Sequence, residues 1–266
     1  RYSIWSAVSL ASAAVMGADG FSEFLRGAAA MDRHFQTTPL AENLPVLMAL
    51  TDIWHRNVCD YPAQVVIPYD HRLRSLPAYL QQLVMESNGK SVDSQGRRVD
   101  YATSPVLFGE PGTDAQHSLF QMFHQGTDIV PLSFIGVIRP DHGDKEAHAA
   151  LLANMLAQAT ALATGTAGLG DQETTDVHRQ MQGQRPSVIV LLDSLTPFAL
   201  GQLLALYEHK VFVEGVIWDI NSYDQFGVEL GKVVAKAIQP ALESDSTGVA
   251  ENFGLDGILD YIRSKD

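Results

Sequence analysis

Gln82 and Glu86 stand four residues apart in QQLVMESNGK (81–90), so a helix through this stretch carries both side chains on one face. The helical pattern ends directly after the acid, at Ser87-Asn88-Gly89. A carboxylate there meets the negative end of the helix dipole, at a cost of about 0.3–1 kcal/mol. A proton-transfer role would account for it, if partial burial lifted the pKa of Glu86 toward neutrality and made it a general base. Spacing alone favours the plainer reading, a solvated helix end.

Two other stretches offer chemistry of the same kind. GEPGTDAQH (109–117) can turn sharply at Gly109 and Gly112, and it brings His117 into the first turn of a predicted helix. The positive end of that helix would keep the imidazole neutral and able to exchange protons. His117, Gln121 and His124 equally mark the polar side of an amphipathic helix, with Leu119, Phe120 and Phe123 largely opposite. Metal binding through His117 and His124 is weakly supported, because no third ligand is evident. In YDQFGVELGK (223–232), Gln225, Glu229 and Lys232 sit at i, i+4 and i+7 of one helical stripe. That stripe is either solvated, with Glu229 pairing to Lys232 or Lys236 for about 0.2–0.5 kcal/mol, or it presents Lys232 in a pocket as a cation for a sugar oxygen.

The elements that must position these residues follow from periodicity. The first 60 residues read as helices, with Phe21, Phe24, Leu25, Ala28 and Met31 near one face. YSIWSAVSLASAAVM reads as a buried helix, short for a membrane span. Thr38-Pro39 predicts a helix start. Apolar runs at 63–70, 105–110, 129–138 and 187–192, with a possible fifth at 215–220, alternate with helical patterns. Thr113 and Gln116 fit a capping box, and Thr196-Pro197 opens a further helix. This alternation predicts an α/β fold with a mostly parallel sheet covered on both faces, where ligands bind at the carboxyl ends of the strands. Residues 165–184 read as a polar, glycine-rich surface loop. They follow a helix, not a strand, so a dinucleotide fingerprint is not expected.

Bulk properties narrow the class. The chain has 266 residues, 46% of them hydrophobic and 18% charged, enough for a sizeable core. A net charge of −13 argues against nucleic acid as a partner. The single cysteine, Cys59, reads as packing; it allows no intrachain disulfide and suits a reducing, cytoplasmic compartment. The chain begins with Arg1 inside an apolar stretch, and it is expected to be a piece of something longer.

Together the segments RYSIWSA, MDRHFQTTPL, MESNGK, GEPGTDAQH, FHQGTDIVP, LTPFALG, LYEHKVF and YDQFGVELGK resemble the glucose-6-phosphate isomerase (phosphoglucose isomerase) family, in family order from Arg1 to about Lys236. GLDGILDYI is a weaker echo near the end. The resemblance implies a three-layer αβα fold of the SIS type and interconversion of glucose 6-phosphate and fructose 6-phosphate. It also implies no metal or organic cofactor, no membrane partner, and a homodimer. By resemblance, Glu86 is the base that carries a proton between C1 and C2 through a cis-enediol. Gln82 and Gln225 contact substrate, and Lys232 helps at the ring oxygen. Arg1 steadies the enediolate, and His117 assists ring opening in the neighbouring subunit's site.

Family chains are roughly twice this length, and the phosphate-clamping loop of their first SIS subdomain has no counterpart here. The loop at 165–184 is shorter and more divergent than usual, and GTDAQH replaces the commoner GTNGQH. The expected organisation is therefore a C-terminal half: helical linker 1–60, second SIS subdomain 61–240 and tail 241–266. A non-catalytic sugar-phosphate-binding SIS module is the alternative, and a secreted signalling role is not addressed by the sequence.

Overall fold

The computed structural model describes residues 1–169, 176–243 and 254–265; residues 170–175 of the predicted loop at 165–184 lie outside them. The chain forms two compact units, Arg1–Ser222 and Tyr223–Asp266.

In the first unit, helices α1 (Leu10–Thr37) and α2 (Leu44–Ile53) precede strand β1 (Ala63–Pro68) and helix α3 (Leu76–Gln81). Strand β2 (Val106–Gly109) leads into two short helices, α4 (Gly112–Gln116) and α5 (Phe120–Gln125). Strand β3 (Leu132–Val137), helix α6 (Lys145–Thr164), strand β4 (Ser187–Leu192) and helix α7 (Pro197–Ile217) complete it. The sheet order is β2-β1-β3-β4, and every neighbouring pair is parallel. The second unit contains α8 (Glu229–Glu243) and α9 (Asp256–Arg263), with Ala241 and Leu259 buried between them.

Alternation along the strands divides the core. Val66, Leu107 and Ile135 pack on one face with residues of α1, α3 and α7. Val65, Ile67, Leu132 and Phe134 pack on the other with α5 and α6. The central strands β1 and β3 are buried on both faces and read as continuous apolar runs, whereas the edge strands β2 and β4 leave Val106, Ile189 and Leu191 exposed. Phe24, Ala28 and Met31 of α1 are buried, and Phe21 and Leu25 pack beside them, which bears out the predicted face. Helices α1 and α7 approach closely: a Cβ on Gly27 would strike the Phe198 backbone, and one on Gly201 would strike that of Phe24. Gly201→Ala must force the helices apart, and it is expected to cost about 1–3 kcal/mol, read as a lowered midpoint in chemical denaturation.

Several expectations are corrected. The apolar N-terminal stretch is not a buried helix. Val8, Leu10 and Val15 are 74%, 75% and 89% exposed. A 3-10 turn at Ala7–Ser9 leads into α1 at Leu10, which breaks at Gly17 (φ 72°), and the core contacts come from Tyr2, Ile4 and Trp5 before the helical residues and from Met16 beside the break. Thr38-Pro39 does not start α2. Thr38 caps the end of α1, and Asn43 is the N-cap of α2, its side-chain amide donating back to the Phe35 carbonyl (2.8 Å). The Thr113 capping box does not form, because α4 starts at Gly112 and Gln116 donates instead to the Tyr69 hydroxyl (2.7 Å). Residues 215–220 are not a strand; they finish α7 and turn through Trp218 and Asp219. A short apolar run is the same in either conformation, and here the buried face of α7 decides.

Candidate active site

Glu86 closes a π-helical turn, Gln82–Glu86, that continues α3. The next two residues, Ser87 and Asn88, are fully buried. The unfavourable helix end is offset locally: the Lys90 ammonium donates to the Glu86 carbonyl (2.7 Å) and the Ser87 carbonyl (2.9 Å), placing a cation where the dipole is negative.

The carboxylate itself is 20% exposed and held by two donors on the same oxygen. Gln82 Nε2 donates to Glu86 Oε2 at 2.9 Å, and Arg1 Nη1 lies 3.3 Å from that oxygen. Arg1 is fixed in turn, its Nε donating to Ser87 Oγ (2.9 Å) and Nη2 to the Ser222 carbonyl (2.8 Å). Tyr2 donates its hydroxyl to Ser87 Oγ as well (2.9 Å). Further along, Trp5 Nε1 donates to Glu208 Oε2 (2.7 Å), and the Tyr79 hydroxyl lies 3.1 Å from Glu208 Oε1 and 3.3 Å from the Arg1 carbonyl. Burial pushes the Glu208 carboxyl up, against the pull of the Trp5 and Tyr79 hydrogen bonds.

The Glu86 pKa is lowered, not raised. The Gln82 hydrogen bond is the largest cause, burial works against it, and the Arg1 charge adds to the lowering. The expected lift toward neutrality fails because the acid is stabilised as its anion by partners that burial does not outweigh.

His117 is not in a first helical turn. It is the C-cap of α4, at the opposite end of that helix from the one expected, and it is exposed on the surface. Nor do Glu86 and His117 share a sheet edge. The crossover helix α3 runs back against the strands: Pro77 at its start lies by Gly109 at the carboxyl end of β2, while Met85 reaches Leu107 and Asn88 reaches Ser104 near its amino end. His117 follows the carboxyl end of β2. Gln225 and Lys232 belong to the second unit. Gln225 precedes a 3-10 turn with φ −152°, so it is not on the helical stripe that Glu229 and Lys232 open in α8, and all three are exposed. His124 is engaged by Gln158 Oε1 (3.0 Å). Among the described residues no three His, Cys, Asp or Glu gather as a metal site, and no helix is long and apolar enough to cross a membrane.

The family model described as phosphoglucose isomerase matches residues 1–256. The chain belongs to the phosphoglucose isomerase family. It is 53% identical over 257 residues to a glucose-6-phosphate isomerase of Albidiferax ferrireducens, covering 97% of this chain and 47% of that one. With the enzyme of Chlorobium luteolum it shares 49% identity over 278 residues, covering 99% and 50%. The crystal structure of a glucose-6-phosphate isomerase from Chlamydia trachomatis superposes with a TM-score of 0.81 at 41% identity, over 91% of this chain and 47% of that one. A hypothetical protein from Thermus thermophilus superposes with a TM-score of 0.62 at 27% identity, over 81% and 49%. The chain spans about half the length of the curated relatives it matches. Of the residues singled out in the sequence, the structure brings Glu86, Gln82 and Arg1 together. Ser87, Lys90 and Ser222, which the sequence reading did not single out, join them through Arg1 and the Glu86 carbonyl, and Ser87 and Lys90 stand in the same MESNGK segment.

Proposed function

We propose that the complete protein carrying this chain interconverts glucose 6-phosphate and fructose 6-phosphate, with residues 1–60 as linker, 61–240 as a second SIS subdomain and 241–266 as tail. The observation that carries the proposal is the Glu86 carboxylate held as an anion between the Gln82 amide and the Arg1 guanidinium. In the open-chain sugar phosphate, Glu86 takes the proton from C2 of the aldose while charge develops on the C1 oxygen. The hydroxyl proton of C2 passes to the C1 oxygen, and Glu86 returns the carbon-bound proton to C1, leaving a hydroxyl at C1 and the carbonyl at C2. A carbon acid of this kind ionises readily only if the developing oxyanion is met by a positioned cation, and Arg1 supplies one beside the base. Lys232 and His117 manage the ring oxygen during opening, and Gln82 and Gln225 hold sugar hydroxyls.

The protein acts as a homodimer, with His117 serving the neighbouring copy's Glu86. The opposite placement of the two residues at the ends of β2 supports this assignment. The first test is a coupled assay on the complete protein with either hexose phosphate. The second is complementation. Glu86→Gln and His117→Ala chains, each inactive alone, are co-expressed. Half of the random dimers are hybrids with one intact site, so about a quarter of wild-type turnover is expected. No recovery would mean that His117 works in its own chain or not at all.

A further inference from the structure

A fully buried ionic cluster lies behind the candidate site. Lys210, 1% exposed, is ion-paired to Asp52 and to Glu214 Oε1 (2.8 Å). Asn88 Nδ2 donates to Glu214 Oε2 (3.0 Å) and to the Val211 carbonyl (3.1 Å). Asn88 Oδ1 accepts from Ser222 Oγ (2.6 Å). The amide can stand only one way round, because a carboxylate and a carbonyl accept and do not donate. The Ser222 carbonyl then receives Arg1 Nη2, and Arg1 Nη1 faces Glu86. A Cβ on Gly215 would overlap Ser222 Oγ, so α7 closes directly over this contact. A buried amide is costly unless its groups are bonded, and here each one is used.

We propose that Asn88 is a positioning residue: anchored on Glu214 and Val211, it fixes Ser222, whose carbonyl aims the Arg1 guanidinium at Glu86. The inference rests on the reading of Glu86 as the base. Asn88 does not touch substrate. It acts through Arg1, so its loss changes the reacting geometry more than the binding of the sugar.

The test uses the complete protein. Ser222→Ala removes the hydroxyl donor and leaves the Lys210 cluster intact; Asn88→Asp keeps the shape but turns the donor toward Glu214 into an acceptor. Each is expected to lower kcat about tenfold to a hundredfold with KM within about twofold, as misplacement of a catalytic group does. The decisive measurement is a double-mutant cycle. In an Arg1→Ala background, Ser222→Ala should cause less than about twofold further loss, because residues that act as one unit are not additive. Wild-type kcat in Ser222→Ala, or losses that multiply fully with Arg1→Ala, would overturn the relay. Ser222→Ala carries this test even if Asn88→Asp does not fold. Glu86→Gln serves as the control: if it retains turnover, the reading of the site fails and the relay with it. If it abolishes turnover while the cycle is additive, the relay alone fails.

Discussion

Replacing Glu86 by Gln in the complete protein is expected to slow hydrogen exchange at C2 of the hexose phosphate by about 10²–10⁴-fold, the usual contribution of a positioned general base. Ring opening should persist, since it depends on other groups. The melting temperature should move little, because the new amide is isosteric and the site is partly open. Exchange with solvent deuterium, followed by NMR beside an anomerisation assay, separates the two steps; retained exchange would remove Glu86 from its role. The pH dependence has a definite sign. Glu86 is held below the ordinary carboxylate value of 4.5 by the Gln82 hydrogen bond first and by Arg1 after it. Its ionised form contributes stability that is present above the unfolded pKa and lost as pH falls through the lowered folded one. The acid limb of kcat/KM should therefore lie below 4.5. Gln82→Ala, which removes the largest cause, should move that limb upward.

Lys210→Met is expected to destabilise the protein by about 3–5 kcal/mol, because it strands two carboxylates in the interior. Asp52 and Glu214 side chains are 8% and 1% exposed. Burial pushes the Glu214 carboxyl up to about 7 from 4.5, while the attraction of Lys210 opposes that rise. A carboxyl with a raised folded pKa binds more protons folded than unfolded. Its contribution is thus fully present below 4.5 and is lost as pH climbs through about 7. Removing the cation raises that pKa further, so the deficit should be larger at pH 8 than at pH 5, by comparison of urea midpoints in variant and parent. Adding Asp52→Asn and Glu214→Gln to Lys210→Met should recover most of the loss, since neutral groups no longer require a counter-charge. A deficit below about 1 kcal/mol at pH 8 would show that the cluster is not held out of water.

The groups behind these two effects were not equally legible in the chain. The sheet was, because four continuous apolar runs punctuated by turns and helical patterns have few other outcomes, and Thr196-Pro197 does start α7, with Thr196 Oγ accepting from the Ala199 amide (3.1 Å). The pairing of Gln82 with Glu86 was too, since a helical face is a local property. Lys210, Glu214 and Asn88 were not. A lysine and a glutamate four apart in LYEHKVFVEG look like an ordinary solvated pair, and only the packing of α7 puts them inside.

By itself the sequence determined the α/β class, the helix that carries Glu86, and the family through its long motifs. The tertiary structure decided that Arg1 meets Glu86, that the acid is held as its anion, that 215–220 finishes a helix and turns instead of forming a strand, and that Glu86 and His117 part to opposite ends of β2. The division has one physical cause. Periodicity and turn chemistry act over a few residues, whereas a charge's partners and its distance from water are set only when packing brings segments remote in the chain together.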